Sequence, residues 1–252
     1  MDLGIIFTGG GLTVNEMCGL AARAEQRGFD SIGMAEAWRS GWVPLTAMAA
    51  ATSTIRLGPY VLNAYGRSPL LAGMSAVDFN DFSGGRLQLG VGGGNRIINE
   101  QWQGIAHARV LTKMREYVDI MQRIARTRLG ETLSYRGKLH EMTWAPAVDP
   151  NPKPFPVYLS AVFPRMLRVA AQCADGIAGG ATLSADYLEQ TMLPLAAEGA
   201  AEINRDPDNL HWTIVAITAV HADRDLARHA AREAICHLYA PLPHPYYEYT
   251  MR

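Results

Sequence analysis

Glycine-rich and polar residues follow several apolar runs of the sequence, where they could bind an anion and orient a cofactor. The segment Gly90-Val91-Gly92-Gly93-Gly94-Asn95 lets the backbone approach a ligand closely and offers free N–H groups to an anion. Residues 160–163 and 179–182 follow two later apolar runs and predict a phosphate site, although tight turns that merely need glycine explain their composition equally well. These two segments comprise Ser160, Ala161, Val162, Phe163, Gly179, Gly180, Ala181 and Thr182.

A carboxylate and an indole stand together in Glu36-Ala37-Trp38, after another apolar run. At the carboxyl end of a strand they could orient a cofactor and a substrate, whereas a helix cap beside a rim aromatic is the plainer interpretation. Asn63-Ala64-Tyr65 and Asn99-Glu100-Gln101-Trp102 occupy similar places after the next two runs. The residues alone leave both interpretations open.

Several familiar catalytic patterns are missing from the sequence. There is no HExxH, GxSxG or CxxC motif, and the seven histidines lack ligand spacing, which disfavours metal enzymes and triad hydrolases. The three cysteines, Cys18, Cys173 and Cys236, are expected to be reduced core residues. The glycine run follows the fourth apolar run and does not match GxGxxG, so NAD binding of the Rossmann type is also disfavoured.

Composition excludes two further classes of partner. The 252 residues carry 23 Lys and Arg against 24 Asp and Glu, a net charge of −1, and no basic block, so nucleic-acid binding is not expected. No apolar stretch reaches the roughly 20 residues that span a bilayer. The amino terminus has no basic start ahead of an apolar run. These features predict a cytoplasmic protein that contacts no membrane.

Apolar strands alternate with amphipathic helices along the chain, which predicts a parallel sheet covered by helices. Strands are predicted at residues 3–8, 31–35, 55–62, 87–92, 156–160, 176–179 and 213–220. Helices are predicted at residues 14–27, 45–51, 70–82, 106–126, 164–174, 185–203 and 224–238. Residues 129–150 interrupt this order as a small hairpin insertion, and no linker divides the single domain 1–252. A doubly wound open sheet and a (β/α)8 barrel missing its last unit both fit.

Four motifs in this order resemble the bacterial luciferase-like superfamily and cover most of the chain. They are Ala24-Glu25-Gln26-Arg27-Gly28-Phe29-Asp30-Ser31 followed by Glu36, then residues 49–58, then Ser83-Gly84-Gly85-Arg86-Leu87-Gln88-Leu89-Gly90-Val91-Gly92-Gly93-Gly94, then Ala174-Asp175-Gly176. The resemblance implies an α/β TIM-like (β/α)8 barrel of the luciferase-like type, which apparently lacks its last strand-helix unit here. It also implies a flavin mononucleotide (FMN) or coenzyme F420 cofactor, and an active-site flap near residues 129–150.

The resemblance further implies which residues serve the cofactor. A bulge at Tyr60-Val61, often a non-proline cis peptide in the family, would back the flavin ring. The ring would be lined by Glu36, Asn63, Gly93, Gly94 and Asn95, and the phosphate would lie on residues 160–163 and 179–182. No metal site is expected.

Two departures from the family pattern bear on the reaction. Ala37 stands where many relatives have a histidine, and Asn95 stands where the sugar-phosphate dehydrogenases have a glutamate. The usual acid/base pair of those dehydrogenases is therefore absent. Hydride transfer would then take its proton from water, from Glu36, or from a tyrosine such as Tyr65, and Trp38 and Trp102 would contact the substrate.

The favoured function is therefore an F420-dependent oxidoreductase acting on a small organic substrate. An FMN-dependent monooxygenase using reduced flavin and oxygen is the first alternative, and a non-catalytic partner subunit is the second. Family relatives commonly pair through early barrel helices, which predicts a homodimer. Seven strands leave an open edge, so we expect either that the sequence belongs to a longer chain or that a partner or a rearrangement closes the gap.

Overall fold

Parallel strands alternate with helices in a computed structural model that describes residues 1–8, 10–149 and 153–239, together with Thr250. The strands are β1 Gly4–Phe7, β2 Ser31–Met34, β3 Arg56–Pro59, β4 Leu62–Asn63, β5 Leu89–Gly92, β6 Leu133–Arg136, β7 Glu141–Trp144, β8 Val157–Ser160, β9 Gly176–Gly179 and β10 His211–Ile214. The helices are α1 Val14–Gln26, α2 Trp42–Ala50, α3 Pro69–Phe82, α4 Val110–Ile124, α5 Pro164–Cys173, α6 Ala185–Tyr187, α7 Leu193–Ala201 and α8 Arg224–Tyr239.

The strands form one curved parallel arrangement with the topology of a barrel. β1, β2 and β3 pair in that order, and β4, β5, β8, β9 and β10 pair in a second run. A parallel bridge between Leu57 and Leu87 joins the two runs, and β3 and β4 are successive parts of one strand. Within the described residues, β1 therefore pairs only with β2, and β10 pairs only with β9. This is the seven-stranded part of a (β/α)8 barrel that the sequence predicts.

Side-chain hydrogen bonds determine where α1 begins and how its end is attached to the next loop. Thr13 and Glu16 form a reciprocal capping box at the start of α1, as their spacing predicts. At the end of the same helix, the Glu25 carboxylate accepts hydrogen bonds from the backbone N–H groups of Ser53, Thr54 and Ile55 at 2.6–3.1 Å. Glu25 therefore ties α1 to the loop that leads into β3.

The core lies between the strands and the inner faces of the helices. Methionine and branched aliphatic side chains dominate it, which fits strands that are buried on both faces. Its largest fully buried side chains are Tyr117, Met17, Ile32, Met34, Leu45, Met48, Leu57, Leu62, Leu89, Met114, Ile120 and Met121.

Three predicted elements differ from the structure. The strand predicted at 213–220 is β10 at His211–Ile214, because β10 pairs residue for residue with β9, which is only four residues long. The helix predicted at 185–203 contains a π-helical turn, Leu188–Met192, just before Pro194, which lacks the N–H that a regular helix needs there. The helix predicted from residue 106 begins at Val110, because Arg109 has a left-handed φ of 53°.

Two further findings bear on the expectations about cysteines and membranes. Cys18 and Cys173 are partly buried, but Cys236 is exposed on α8, so the prediction of three core cysteines is wrong for that residue. Burial raises the pKa of the Cys173 thiol to about 11. Within the described ranges, no helix is both long and apolar enough to cross a bilayer.

Candidate active site

Glu36 lies just beyond the carboxyl end of β2, and both of its carboxylate oxygens are engaged. Oε1 is 2.8 Å from Nη2 of Arg67 and accepts from the N–H of Gly41 at 3.2 Å. Oε2 accepts from the N–H of Asn63, also at 3.2 Å. The carboxylate therefore joins the β2 loop to the end of β4.

A chain of buried amides continues from Asn63 to β5. The Asn63 side chain donates from Nδ2 to Oδ1 of Asn99 at 2.8 Å, and Asn99 in turn donates from Nδ2 to the Gly93 carbonyl at 2.7 Å. A Cβ at Gly94, whose φ is +66°, would lie 2.9 Å from Nδ2 of Asn63, so only glycine fits this close approach. The side chain of Asn95 accepts from the N–H of Ile97 at 2.7 Å.

The bulge expected in the third strand is present between β3 and β4. The Tyr60–Val61 peptide is cis, as the resemblance implies. The Tyr60 hydroxyl lies 2.7 Å from the carbonyl oxygen of Gly179 and 2.8 Å from that of Thr213, and burial raises the pKa of Tyr60. Tyr60 thus crosses the barrel interior from β3 to β9 and β10.

The two segments predicted to hold a phosphate are neighbours at the carboxyl ends of β8 and β9. The N–H of Ala161 donates to the carbonyl of Ala178, and the hydroxyl of Tyr187 donates to the carbonyl of Val162 at 2.6 Å. Phe163 is the N-cap of α5, whose positive dipole end favours anions. The Thr182 hydroxyl oxygen is buried and has no hydrogen-bond partner in the described part of the chain. The remaining members, Ser160, Gly179, Gly180 and Ala181, complete the two segments.

These two regions meet through β5. A Cβ placed at Gly92 would lie 2.7 Å from Cγ2 of Val61 and 3.2 Å from Cβ of Ser160. The bulge, the glycine run and the start of the phosphate segments are therefore in direct contact. One edge of the sheet carries both regions that the sequence assigns to the cofactor.

A pocket of about 400 Å3 opens at the ends of β2 and β4. It is lined by Glu36, Ala37, Trp38, Arg39, Ser40, Asn63, Gly66, Arg67 and Gln103. Trp38 meets Trp102 at its mouth, with ring centroids 6.1 Å apart in an edge-to-face arrangement. The structure thus brings together the two tryptophans that the sequence assigns to the substrate.

Tyr65 points away from this pocket. Its hydroxyl donates to the carbonyl of Ala108 at 2.5 Å, and its ring packs on His107, with Nζ of Lys113 4.8 Å from the ring centre. Burial raises the pKa of Tyr65 and lowers that of His107. As a proton donor, Tyr65 would first have to release the Ala108 carbonyl.

The hairpin predicted at 129–150 is confirmed as the antiparallel pair β6–β7, but it does not line the pocket. Its turn lies on α4, where the buried Glu116 carboxylate accepts from the N–H groups of Lys138, Leu139 and His140 at 2.6–3.3 Å and from the His140 ring at 2.9 Å. Glu116 therefore holds the turn against α4, and the role of the hairpin as an active-site flap stays a prediction.

Sequence reasoning missed two arginines of the site and the contacts of Asn99, which it noted only for its position after an apolar run. Arg39 and Arg67 line the pocket, and Asn99 links Asn63 to Gly93. Their positions in the sequence could have indicated both arginines, because Arg39 follows Glu36 by three residues and Arg67 follows Asn63 by four. In the portion of the chain that the structure describes, no three His, Cys, Asp or Glu side chains group as a metal site.

Residues 3–250 match the family described as luciferase-like monooxygenases. The chain belongs to this family.

Relatives within this luciferase-like family include F420-dependent enzymes. A 5,10-methylenetetrahydromethanopterin reductase from Archaeoglobus fulgidus is 32% identical over 222 residues, which are 87% of this chain and 65% of that protein. An F420-dependent glucose-6-phosphate dehydrogenase from Segniliparus rotundus is 29% identical over 206 residues, 76% of this chain and 60% of the relative. The chain therefore spans somewhat less than two thirds of the length of these relatives.

Solved structures show the same fold. The coenzyme F420-dependent tetrahydromethanopterin reductase from Methanopyrus kandleri superposes with a TM-score of 0.81 at 23% identity, covering 94% of this chain and 72% of that one. An F420-dependent secondary alcohol dehydrogenase, solved with an F420-acetone adduct, superposes with a TM-score of 0.83 at 19% identity. The match covers 96% of this chain and 76% of that one. These likenesses confirm the TIM-like barrel of the luciferase-like type.

Proposed function

We propose that this luciferase-like protein is an oxidoreductase that transfers a hydride between coenzyme F420 and a small organic substrate. The observation that carries the proposal is the close contact at Gly92 of β5 between the Tyr60–Val61 bulge and Ser160, where the first segment predicted to hold a phosphate begins, beside a polar pocket at β2 and β4 that is left for a substrate. A cofactor with a planar ring and a phosphate fits such a site. The name of the Segniliparus rotundus relative, an F420-dependent glucose-6-phosphate dehydrogenase, points to the same cofactor.

The residues present fit this group. The ring would lie against Tyr60, Val61, Asn63, Gly93, Gly94 and Asn95, and the phosphate against residues 160–163 and 179–182. The buried Thr182 hydroxyl, which has no partner among the described residues, is a donor that a phosphate oxygen would satisfy. When bound, F420 supplies a hydride carrier that reacts poorly with oxygen, because carbon replaces the central-ring nitrogen of a flavin.

The chain's own polar groups orient the site, and water supplies the proton. Both Glu36 oxygens accept hydrogen bonds, so this carboxylate positions Asn63 and Arg67. The Tyr65 hydroxyl is bound to the Ala108 carbonyl. Trp38 and Trp102 are 48% and 47% exposed, so the mouth between them is open to solvent.

Equilibrium titration of the protein with F420 and with FMN, each followed by its own fluorescence, tests this function. We expect tight binding of F420 and weak binding of FMN. A preference for FMN, followed by oxygen uptake with reduced flavin, would instead support the monooxygenase alternative. Binding of neither cofactor would support the non-catalytic partner subunit, which Ala37 and Asn95 motivate.

We also propose that the protein forms a homodimer through α2 and α3. Four large apolar side chains on these helices are exposed by 43–66%, namely Val43, Leu71, Met74 and Phe82. Exposed apolar side chains on neighbouring early barrel helices are typical of a protein–protein contact. Sedimentation velocity of the protein and of a Leu71→Glu variant tests it, and a wild-type monomer at all concentrations would contradict it.

A further inference from the structure

The pocket beside Glu36 carries more positive than negative charge. Two guanidinium groups, those of Arg39 and Arg67, line it with the single carboxylate of Glu36. Side chains of Glu36 and Arg67 are only 13% and 26% exposed, so their charges are weakly screened by solvent. The pocket therefore has a net charge of +1 to offer a ligand.

Hydrogen-bond donors are also in excess there. Glu36 has both oxygens occupied by Arg67, Gly41 and Asn63. Arg67, in contrast, uses only Nη2 for that ion pair, and its Nε is buried with no partner among the described residues. A buried charged donor left without an acceptor costs free energy, so its persistence needs an explanation.

Arg39, the second arginine of the pocket, is also positioned to bind an anion. Arg39 donates from Nη1 to the carbonyl of Leu12 at 2.5 Å, which holds its side chain across the loop that follows β1. Its other N–H groups have no hydrogen bond to the described residues. A guanidinium held in this way is preorganised for an anion, because little side-chain entropy remains to be lost.

Aromatic rings stand beside these donors. Trp38 lines the pocket, and Trp102 meets it edge to face at 6.1 Å. Both rings are about half exposed, so each has apolar surface available to a planar ligand.

We infer that this pocket binds the substrate through an anionic group, and that the substrate class is an aromatic or other planar carboxylate. The carboxylate would accept from the free N–H groups of Arg67 and Arg39, while its ring would contact Trp38 and Trp102. This inference rests on the proposed function and specifies its substrate class.

Benzoate and its neutral isostere benzamide test the inference by calorimetric titration. We expect benzoate to bind the wild-type protein at least about tenfold more tightly than benzamide, because only benzoate pairs with the guanidinium groups. We also expect benzoate binding to weaken when salt is raised from about 20 mM to about 500 mM, and benzamide binding to stay unchanged. Equal affinities, or no benzoate binding at millimolar concentration, would overturn the inference.

Arginine variants locate the contact. Arg67→Gln should abolish the preference for benzoate while leaving benzamide binding within about twofold. Arg96→Gln is the matched control, because it removes the same charge from an exposed arginine whose one ion pair among the described residues is with Glu100. An equal loss in both variants would overturn the inference, and if Arg67→Gln does not fold, Arg39→Gln and the salt dependence of the wild type decide.

Saturation with F420 separates this inference from the proposed function. We expect benzoate to bind the F420-loaded protein at least as tightly as the free protein. Displacement of benzoate by F420 would assign the anion site to the cofactor and overturn the substrate assignment. Binding of F420, followed by its own fluorescence, is independent of either result, so the inference can fail while the proposed function stands.

Discussion

Asn63 and Asn99 form a buried side-chain hydrogen bond of 2.8 Å that joins the end of β4 to the π-helical turn Ile98–Trp102 beyond β5. Asn99 also donates a hydrogen bond from its side chain to the Gly93 carbonyl. The two asparagines therefore set the distance between the bulged strand and the glycine run, which are the two surfaces assigned to the cofactor ring.

Replacing Asn99 with alanine should weaken both stability and cofactor binding. The change leaves Nδ2 of Asn63 and the Gly93 carbonyl without this partner, which should cost about 1–3 kcal/mol in the free energy of unfolding. We expect F420 affinity to fall about tenfold. Urea unfolding and fluorescence titration measure the two effects, with exposed Asn209→Ala as the control. Unchanged F420 affinity would remove this pair from the cofactor site.

Thr182→Val should have opposite effects on stability and binding. The hydroxyl is buried without a partner among the described residues, so its replacement by a methyl group should leave the melting temperature unchanged or raise it. We expect F420 affinity to fall about tenfold, since the hydroxyl is proposed to contact the phosphate. A large drop in melting temperature would show instead that the hydroxyl has a structural partner.

Glu36→Gln distinguishes a positioning carboxylate from a proton donor. Glutamine would place its NH2 group against one of the N–H donors, which should destabilise the fold by about 1–3 kcal/mol. For a positioning role we expect turnover at saturating F420 to fall by less than about tenfold. A proton donor would lose about a hundredfold or more in turnover, beyond what the loss of stability explains.

Glu116→Gln should loosen the hairpin without changing the site. The carboxylate holds the turn at residues 137–140, which follows Arg136 and contains Lys138, and trypsin cleaves after both residues. We expect tryptic cleavage there to accelerate about tenfold, whereas F420 affinity should stay within about twofold. Mass spectrometry of the fragments measures the cleavage. A large loss of F420 affinity would support the prediction that the hairpin is an active-site flap.

Glu25 should make stability depend on pH in the acidic range. Burial raises the pKa of this carboxyl, and hydrogen bonds from Ile55, Thr54 and Ser53 lower it by more, to about 2, against an ordinary value of 4.5. The contribution is therefore complete above about pH 4.5 and is lost as the pH falls towards 2.

Glu25→Gln should accordingly lower stability at pH 7 by about 1–2 kcal/mol, allowing for solvent screening at this partly exposed site, and by less at pH 3. Urea unfolding at the two pH values measures it. Glu189→Gln on an exposed helix face is the control. An equal loss at both pH values would contradict the assigned pKa.

Much of the barrel follows from local signals. The Thr13–Glu16 spacing predicts the start of α1, and the apolar runs predict the positions of six of the seven barrel strands because strands buried on both faces have a continuous apolar pattern. The cis peptide at Tyr60–Val61 and the antiparallel hairpin also match what the resemblance and the turn residues predict. These features depend on residues close together in the chain.

The remaining features could not be predicted from the sequence because they depend on contacts between residues far apart in the chain. The bounds of β10 depend on the length of its partner β9. The apolar pattern of residues 213–220 carries no information about that length. The contacts of Arg67 with Glu36 and of Asn99 with Asn63 span 31 and 36 residues of sequence. Local sequence patterns therefore could not predict these two contacts. The outer position of the hairpin depends on Glu116, 22–24 residues before the turn that it holds.

The Trp38–Trp102 contact gives this protein an optical signal of its own. Two indoles 6.1 Å apart with an interplanar angle of 62° are close enough for their electronic transitions to couple, and both stand at the pocket mouth. Such coupling produces a circular-dichroism couplet that changes when either ring turns. Occupancy of the pocket can thus be followed by circular dichroism, with no label on the protein.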